Sequence, residues 1–103
     1  MEIVYSHGKI KEFIDSLEPM IARRTYRLVS HLEQTGYGIR MPHSKIIGNG
    51  LFELRLQGSV HVRIIYAFHV DAAVLLNIFI KKTWLIPCRE IEYAQDILIK
   101  YLA

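Results

Sequence analysis

Arg55, His61, Arg63 and Lys81 are the side chains of this chain whose types and spacing could do chemistry. All of them are odd-numbered within LFELRLQGSVHVRIIYAFHVDAAVLLNIFIKKT, residues 51–83, where apolar and polar residues alternate as they do in half-buried strands. Side chains two apart share a strand face, so one polar face gathers three cations and an imidazole. Converging cations hold an anion, and an imidazole is the side chain suited to moving a proton near neutrality. The plain alternative is a sheet covered on one side that shows its charges to water on the other.

These residues need a frame, and the pattern supplies three strands running back and forth. Phe52, Leu54 and Leu56 alternate with Glu53, Arg55 and Gln57; Val60, Val62, Ile64, Tyr66 and Phe68 alternate with His61, Arg63, Ile65 and Ala67. In the third run Val74, Leu76, Ile78 and Ile80 face one way, and Leu75, Asn77, Phe79 and Lys81 the other. Antiparallel partners lie on the same face, which favours loops of odd length here. A loop of Gln57, Gly58 and Ser59 closing on Leu56 and Val60 sets Arg55 against His61 and Glu53 against Arg63. A second loop from His69 to Ala73, closing on Phe68 and Val74, sets Lys81 opposite His61.

The remaining chain reads as cover for that sheet. Glu2 to Tyr5 is a short strand, and Ser6 is a candidate N-cap for a helix carrying Ile10, Phe13, Ile14 and Leu17 on one face. Pro19 opens a second helix with a stripe of Ile21, Thr25, Leu28, Val29 and Leu32, ended by Gly36. Its Arg23, Arg24 and Arg27 suit a solvated face, though a basic helix face can also track phosphates. Gly36 to Gly50 is a long connection and a candidate functional loop, on which His43 and Lys45 are available polar groups. Pro87 begins a last helix, with Glu90 and Glu92 near its positive end, Lys100 near the other, and Ile91, Ala94, Ile97, Leu98, Tyr101 and Leu102 forming a wide apolar side that either closes the core or docks a partner.

Composition narrows the class. A chain of 103 residues suits one domain, 1–103, and it contains no run of about 18 to 20 apolar residues that would span a bilayer. The N-terminus lacks a basic lead with an apolar core, and the one cysteine, Cys88, has no internal partner, so the expected compartment is the cytoplasm. Net charge of +3 leans towards an anionic partner. An apolar content of 51% in so short a chain implies that some hydrophobes face a protein partner. The histidines stand at no metal-binding spacing, and there is no G-x-S-x-G elbow or Gly-Lys-Ser/Thr phosphate loop.

The order of short strand, two helices, loop, three-stranded meander and terminal helix, with PHSKIIGNGLFELRLQGSVHVRIIYAF and IFIKKTWLIPCREIEYA, resembles the RelE/ParE superfamily of bacterial toxins, and within it the HigB-like branch that includes phage-derived members. The resemblance implies an α+β fold, a small antiparallel sheet packed on a helical hairpin, as a single RelE-like toxin domain. It implies a toxin of a type II toxin-antitoxin system that cuts messenger RNA on the ribosome without metal or other cofactor. In such chemistry the ribose 2′-OH attacks the adjacent phosphate, leaving a 2′,3′-cyclic phosphate and a free 5′-OH. Carried over by position, Arg63 matches the strand arginine that stabilises the scissile phosphate, Arg55 its neighbour, and Lys81 with Lys82 the basic pair ending the last strand. His43 and Lys45 of the PH-x-K segment join Lys82 as candidate RNA contacts. Relatives place a Tyr, Asp or His near the C-terminus; this chain ends IKYLA, which leaves His61 as the best-placed proton carrier. The implied partners are mRNA, the ribosome and a cognate antitoxin with a helix-turn-helix domain, through which alone DNA is reached; no membrane is involved. Two other functions fit the same resemblance: a ParE-like toxin that binds DNA gyrase, and a decayed toxin that only binds its antitoxin.

Overall fold

Apolar stripes on two helices and an apolar face on the strands meet as their patterns require. The computed structural model describes residues 1–82, 84 and 87–103. Thr83, Leu85 and Ile86, and with them the end of the expected third run and the threonine of the K-K-T element, lie outside the described residues. The order is β1 (Glu2–Tyr5), α1 (Lys9–Ser16), α2 (Pro19–Thr35), a short 3-10 turn (Gly36–Gly38), β2 (Ser44–Gly48), β3 (Leu51–Arg55), β4 (Val62–His69), β5 (Ala72–Ile80) and α3 (Cys88–Leu102). The sheet runs β1-β5-β4-β3-β2, antiparallel except for the parallel pairing of β1 with β5. None of the described helices is long and apolar enough to cross a membrane.

The helical hairpin covers one face. Ile10 and Ile14 of α1 and the expected Ile21, Thr25, Leu28, Val29 and Leu32 of α2 are buried, against Leu54, Leu56, Val62, Ile64, Tyr66 and Leu75. Gly36 ends α2 with φ +61°, a left-handed conformation that a side chain would resist. Two details differ from expectation. Ser6 does not cap α1, because its N–H donates to Leu75 O at 3.1 Å and so prolongs the ladder of β1; the cap position falls to Gly8, which offers no side chain. On α2 the cap is Glu18, whose carboxylate accepts from the N–H groups of Met20 and Ile21.

The other face is covered too, and here the one-sided sheet gives way. Ile65, Ala67, Val74, Leu76 and Phe79 pack with Ala94 of α3, and Ile91, Ile97 and Leu98 lie half-buried beside them, while Leu102 points outward. The long connection also holds a strand, β2, which pairs with β3 and is tied underneath by a 2.6 Å hydrogen bond between the buried Ser44 Oγ and Tyr66 Oη. Burial raises the Tyr66 phenol above its ordinary value, so it remains protonated.

Both hairpins depart from the expected loops. Between β3 and β4 the ladder sets Arg55 opposite Arg63, and Leu56 N–H donates to Val62 O at 3.0 Å, so the loop takes residues 57–61. Between β4 and β5 the turn is Val70-Asp71, with φ of +47° and +57°, closing on His69 and Ala72. A bulge at Leu76, between the Ile65–Asn77 and Tyr66–Leu75 pairs, then restores the expected register, so that Lys81 N–H donates to His61 O at 2.8 Å. The bulge reverses the faces expected for Val74, Leu75 and Leu76. Bulging removes Leu76 from the ladder, and its carbonyl accepts instead from His7 Nε2 at 3.1 Å.

The turn carries a stability prediction. Val70 is β-branched, 82% exposed and left-handed, a combination that costs about 1 to 2 kcal/mol. Val70→Asn should raise the urea midpoint by the equivalent of about 1 kcal/mol; an unchanged or lowered midpoint would show that Val70 makes a compensating contact.

Candidate functional site

The face shared by Glu53, Arg55 and Arg63 emerges from under α3 at the end of the sheet where β3 stops, β4 begins and β5 ends. There a cavity of about 370 Å³ is lined by Arg55, His61, Arg63, Lys81 and Lys82, together with Gln57 and Trp84. All the charged residues that parity gathered on that face therefore meet in one place. They meet by a different register from the one expected: His61 has left the strand for the 57–61 loop, and its partner across the ladder is Lys81 alone.

Arg63 is the fixed point of the group. It is 3% exposed, and its Nη1 donates to Leu56 O at 2.9 Å and Val62 O at 3.1 Å. Burial lowers its pKa and Arg55 adds to that, while Glu53 opposes it; a guanidinium nonetheless stays charged in proteins. Directly opposed arginines repel across a ladder, and Glu53 resolves the conflict. Its Oε1 lies 3.5 Å from Arg55 Nε and 3.8 Å from Arg63 Nε. Among the described residues these are the ion pairs of the chain, and both use the same carboxylate oxygen.

The rest of the group is less constrained. Arg55 and Lys81 are half-buried, whereas His61 and Lys82 are exposed. Arg55 also reaches Met41 Sδ through Nη1 at 3.4 Å. His43 does not line this cavity but a neighbouring one, where its ring meets His31 edge to face with centroids 4.7 Å apart. Lys45 stands opposite Glu53 on β2, exposed, and borders a separate groove with Tyr37, Met41 and Phe68. Among the described residues no three His, Cys, Asp or Glu side chains converge as metal ligands would.

Two participants were given no role by the sequence reading. Glu53, which it set opposite Arg63, stands instead opposite Ile65, buried, and fixes both arginines. Trp84, 95% exposed beside the cavity, lies past the last strand, where no periodicity marks it.

Fold and site together define a small α+β domain with a preorganised cationic cavity at one end of its sheet. A family profile described as Phage derived protein Gp49-like (DUF891) matches residues 12–98, from within α1 to within α3. This chain belongs to that phage-derived family, a family of type II toxins related to the RelE-like toxins. No curated protein and no solved structure matches it significantly.

Proposed function

We propose that this protein is a HigB-like toxin acting as a metal-independent endoribonuclease that cuts mRNA on the ribosome. The observation that carries the reading is the cavity of Arg55, His61, Arg63, Lys81 and Lys82, with Arg63 locked by two carbonyls and a carboxylate. A pure protein-binding toxin has no need of cations converging on a concave end of the sheet. The scissile phosphate sits against Arg63. The substrate's 2′-oxygen loses its proton and bonds to phosphorus, the bond from phosphorus to the 5′-oxygen breaks, and that oxygen takes up a proton. Products are a 2′,3′-cyclic phosphate and a 5′-hydroxyl. Arg63 and Lys81 stabilise the charge gained at the phosphoryl oxygens. Arg55 adds to that field, Lys82 holds the strand, and His61 moves the proton. The exposed Trp84 ring offers a stacking surface for a base.

The test is in vitro translation with purified protein, mapping message ends by primer extension, beside a gyrase supercoiling assay. Cut message with normal supercoiling is expected. Intact message with lost supercoiling would transfer the protein to the gyrase-binding class.

The family places the toxin with a cognate antitoxin, and we take that partner to carry a helix-turn-helix domain. Ile46, Ile99 and Leu102, 72%, 67% and 52% exposed, are apolar surface for it to cover. Co-expressed with the adjacent small open reading frame, toxin and partner should elute together and melt at a higher temperature than toxin alone. A partner at a hundred times its Kd adds about 2.7 kcal/mol. Separate elution with an unmoved melting temperature at concentrations well above micromolar would remove that partner.

A further inference from the structure

We infer that a second cleft, between α2 and the β3–β4 loop, is a nucleotide subsite that grips one phosphate and one base of the same single-stranded RNA beside the Arg63 cavity. The inference rests on the ribonuclease reading for its ligand, and on geometry for its place. The cleft has a volume of about 420 Å³. Its helical wall is Arg24, Arg27, Leu28 and His31, which fall at i, i+3, i+4 and i+7 and therefore on one side of α2. Pro42 and His43 line it from the connection before β2, and Arg55, Leu56 and Gln57 from the end of β3.

Three features select the ligand. First, among the described residues no carboxylate lines the cleft and all the ion pairs belong to Glu53, so Arg24 and Arg27 have no anionic partner among them. Across the cleft from them Arg55 shares its one carboxylate with Arg63, so positive charge is in excess between the walls, and a phosphate relieves it. Second, the charges surround an apolar surface. Leu28 and Leu56 are buried, and with Pro42 they give a base something to lie against, which the carboxylates of an acidic peptide would not use. Third, Arg55 and Gln57 line this cleft and the Arg63 cavity alike, so a strand leaving one enters the other. Arg24 is already set for the task, since its Nη2 donates to Gln57 O at 2.7 Å and holds the guanidinium on the wall between the two sites. The arginines expected to form a solvated helix face thus split: Arg23 is solvated, while Arg24 and Arg27 face the cleft.

The test uses a fluorescent hexanucleotide, 2′-O-methylated throughout so that it binds without being cut. Titrated into isotopically labelled protein, it should move the amide signals of Leu28, His31, His43 and Leu56 as well as those of Arg63 and Lys81. Arg27 is exposed and makes no hydrogen bond among the described residues, so Arg27→Glu should leave the melting temperature in place. It should weaken binding at least ten-fold, and flatten the dependence of log affinity on log salt by about 0.7 for each phosphate left without its cation. Arg27→Lys should restore most of the affinity. Wild-type affinity in a folded Arg27→Glu protein, or shifts confined to the Arg63 cavity, would overturn the subsite. So would a glutamate-rich octapeptide that moves the cleft signals when the hexanucleotide does not, which would assign the cleft to a protein. A wild-type protein that binds the hexanucleotide through the cleft but cuts no message overturns the nuclease reading and leaves the subsite standing.

Discussion

Arg63→Ala should lower message cleavage by a factor of about 10² to 10³ while the protein still folds. The reason is that its guanidinium is aimed before substrate arrives. Hydrogen bonds to Leu56 O and Val62 O, with Glu53 3.8 Å from Nε, hold it in place at 3% exposure. A preorganised donor of this kind contributes about 3 to 4 kcal/mol to a transition state that gains negative charge. Arg63→Lys keeps a cation but loses the planar fork that faces the carbonyls through Nη1 and Glu53 through Nε at once, and should fall between wild type and Arg63→Ala. Arg55→Ala and Lys81→Ala should lose less, because both side chains are only partly buried and water or a neighbouring cation can take their place. Primer extension of a translated message, with a melting curve for each variant, measures all of these. Near-wild-type cleavage by folded Arg63→Ala protein would sink the assignment.

The second large effect is at Glu53, and it appears in stability first. Glu53→Ala leaves Arg63 buried without its anion and Arg55 opposed to Arg63 with nothing between them. Breaking a buried pair from one side costs about 3 to 5 kcal/mol. The urea midpoint at neutral pH should fall accordingly, and cleavage should fall with it because both arginines lose their orientation. The double variant Glu53→Ala/Arg63→Met separates the causes. Removing the stranded cation should return most of the stability, while cleavage stays lost. If Glu53→Ala costs less than about 1 kcal/mol, the carboxylate is not what holds the arginines.

Much of the frame was legible because it rests on periodicity. The stripes of α1 and α2, the three strand runs and the last helix all appear, although β4 starts later and β5 earlier than the spacing puts them. The misses came from contacts that no local pattern carries. Arg24 of α2 bonds Gln57 O and packs 3.0 Å from where a side chain on Gly58 would begin, so a distant helix packs against the loop in which His61 lies. Strand β2 was hidden because its exposed Lys45 and Ile46 follow one another without alternation, as an edge strand allows. The second covered face had left a trace in Ile65, Ala67, Leu75 and Phe79, apolar residues on the side expected to be polar; only Leu75 proved to belong with the helical hairpin. For the site, residue types and parity brought the cations together. The carboxylate that orients them sat on the same face with no sign of its burial, and the cleft beside them depends on how α2 meets the loop.

The bulge at Leu76 gives β5 the property of a slip joint. Between the Val70-Asp71 turn and Leu76 the strand keeps one phase, and from Asn77 to Lys81 it keeps another, with the exchanged carbonyl anchored on His7. A chain of the same length could have run straight through with a longer turn. As built, the turn end can change its residues or breathe open without rotating Lys81 away from His61. The outer hairpin is thereby open to variation, while the cationic end keeps its alignment.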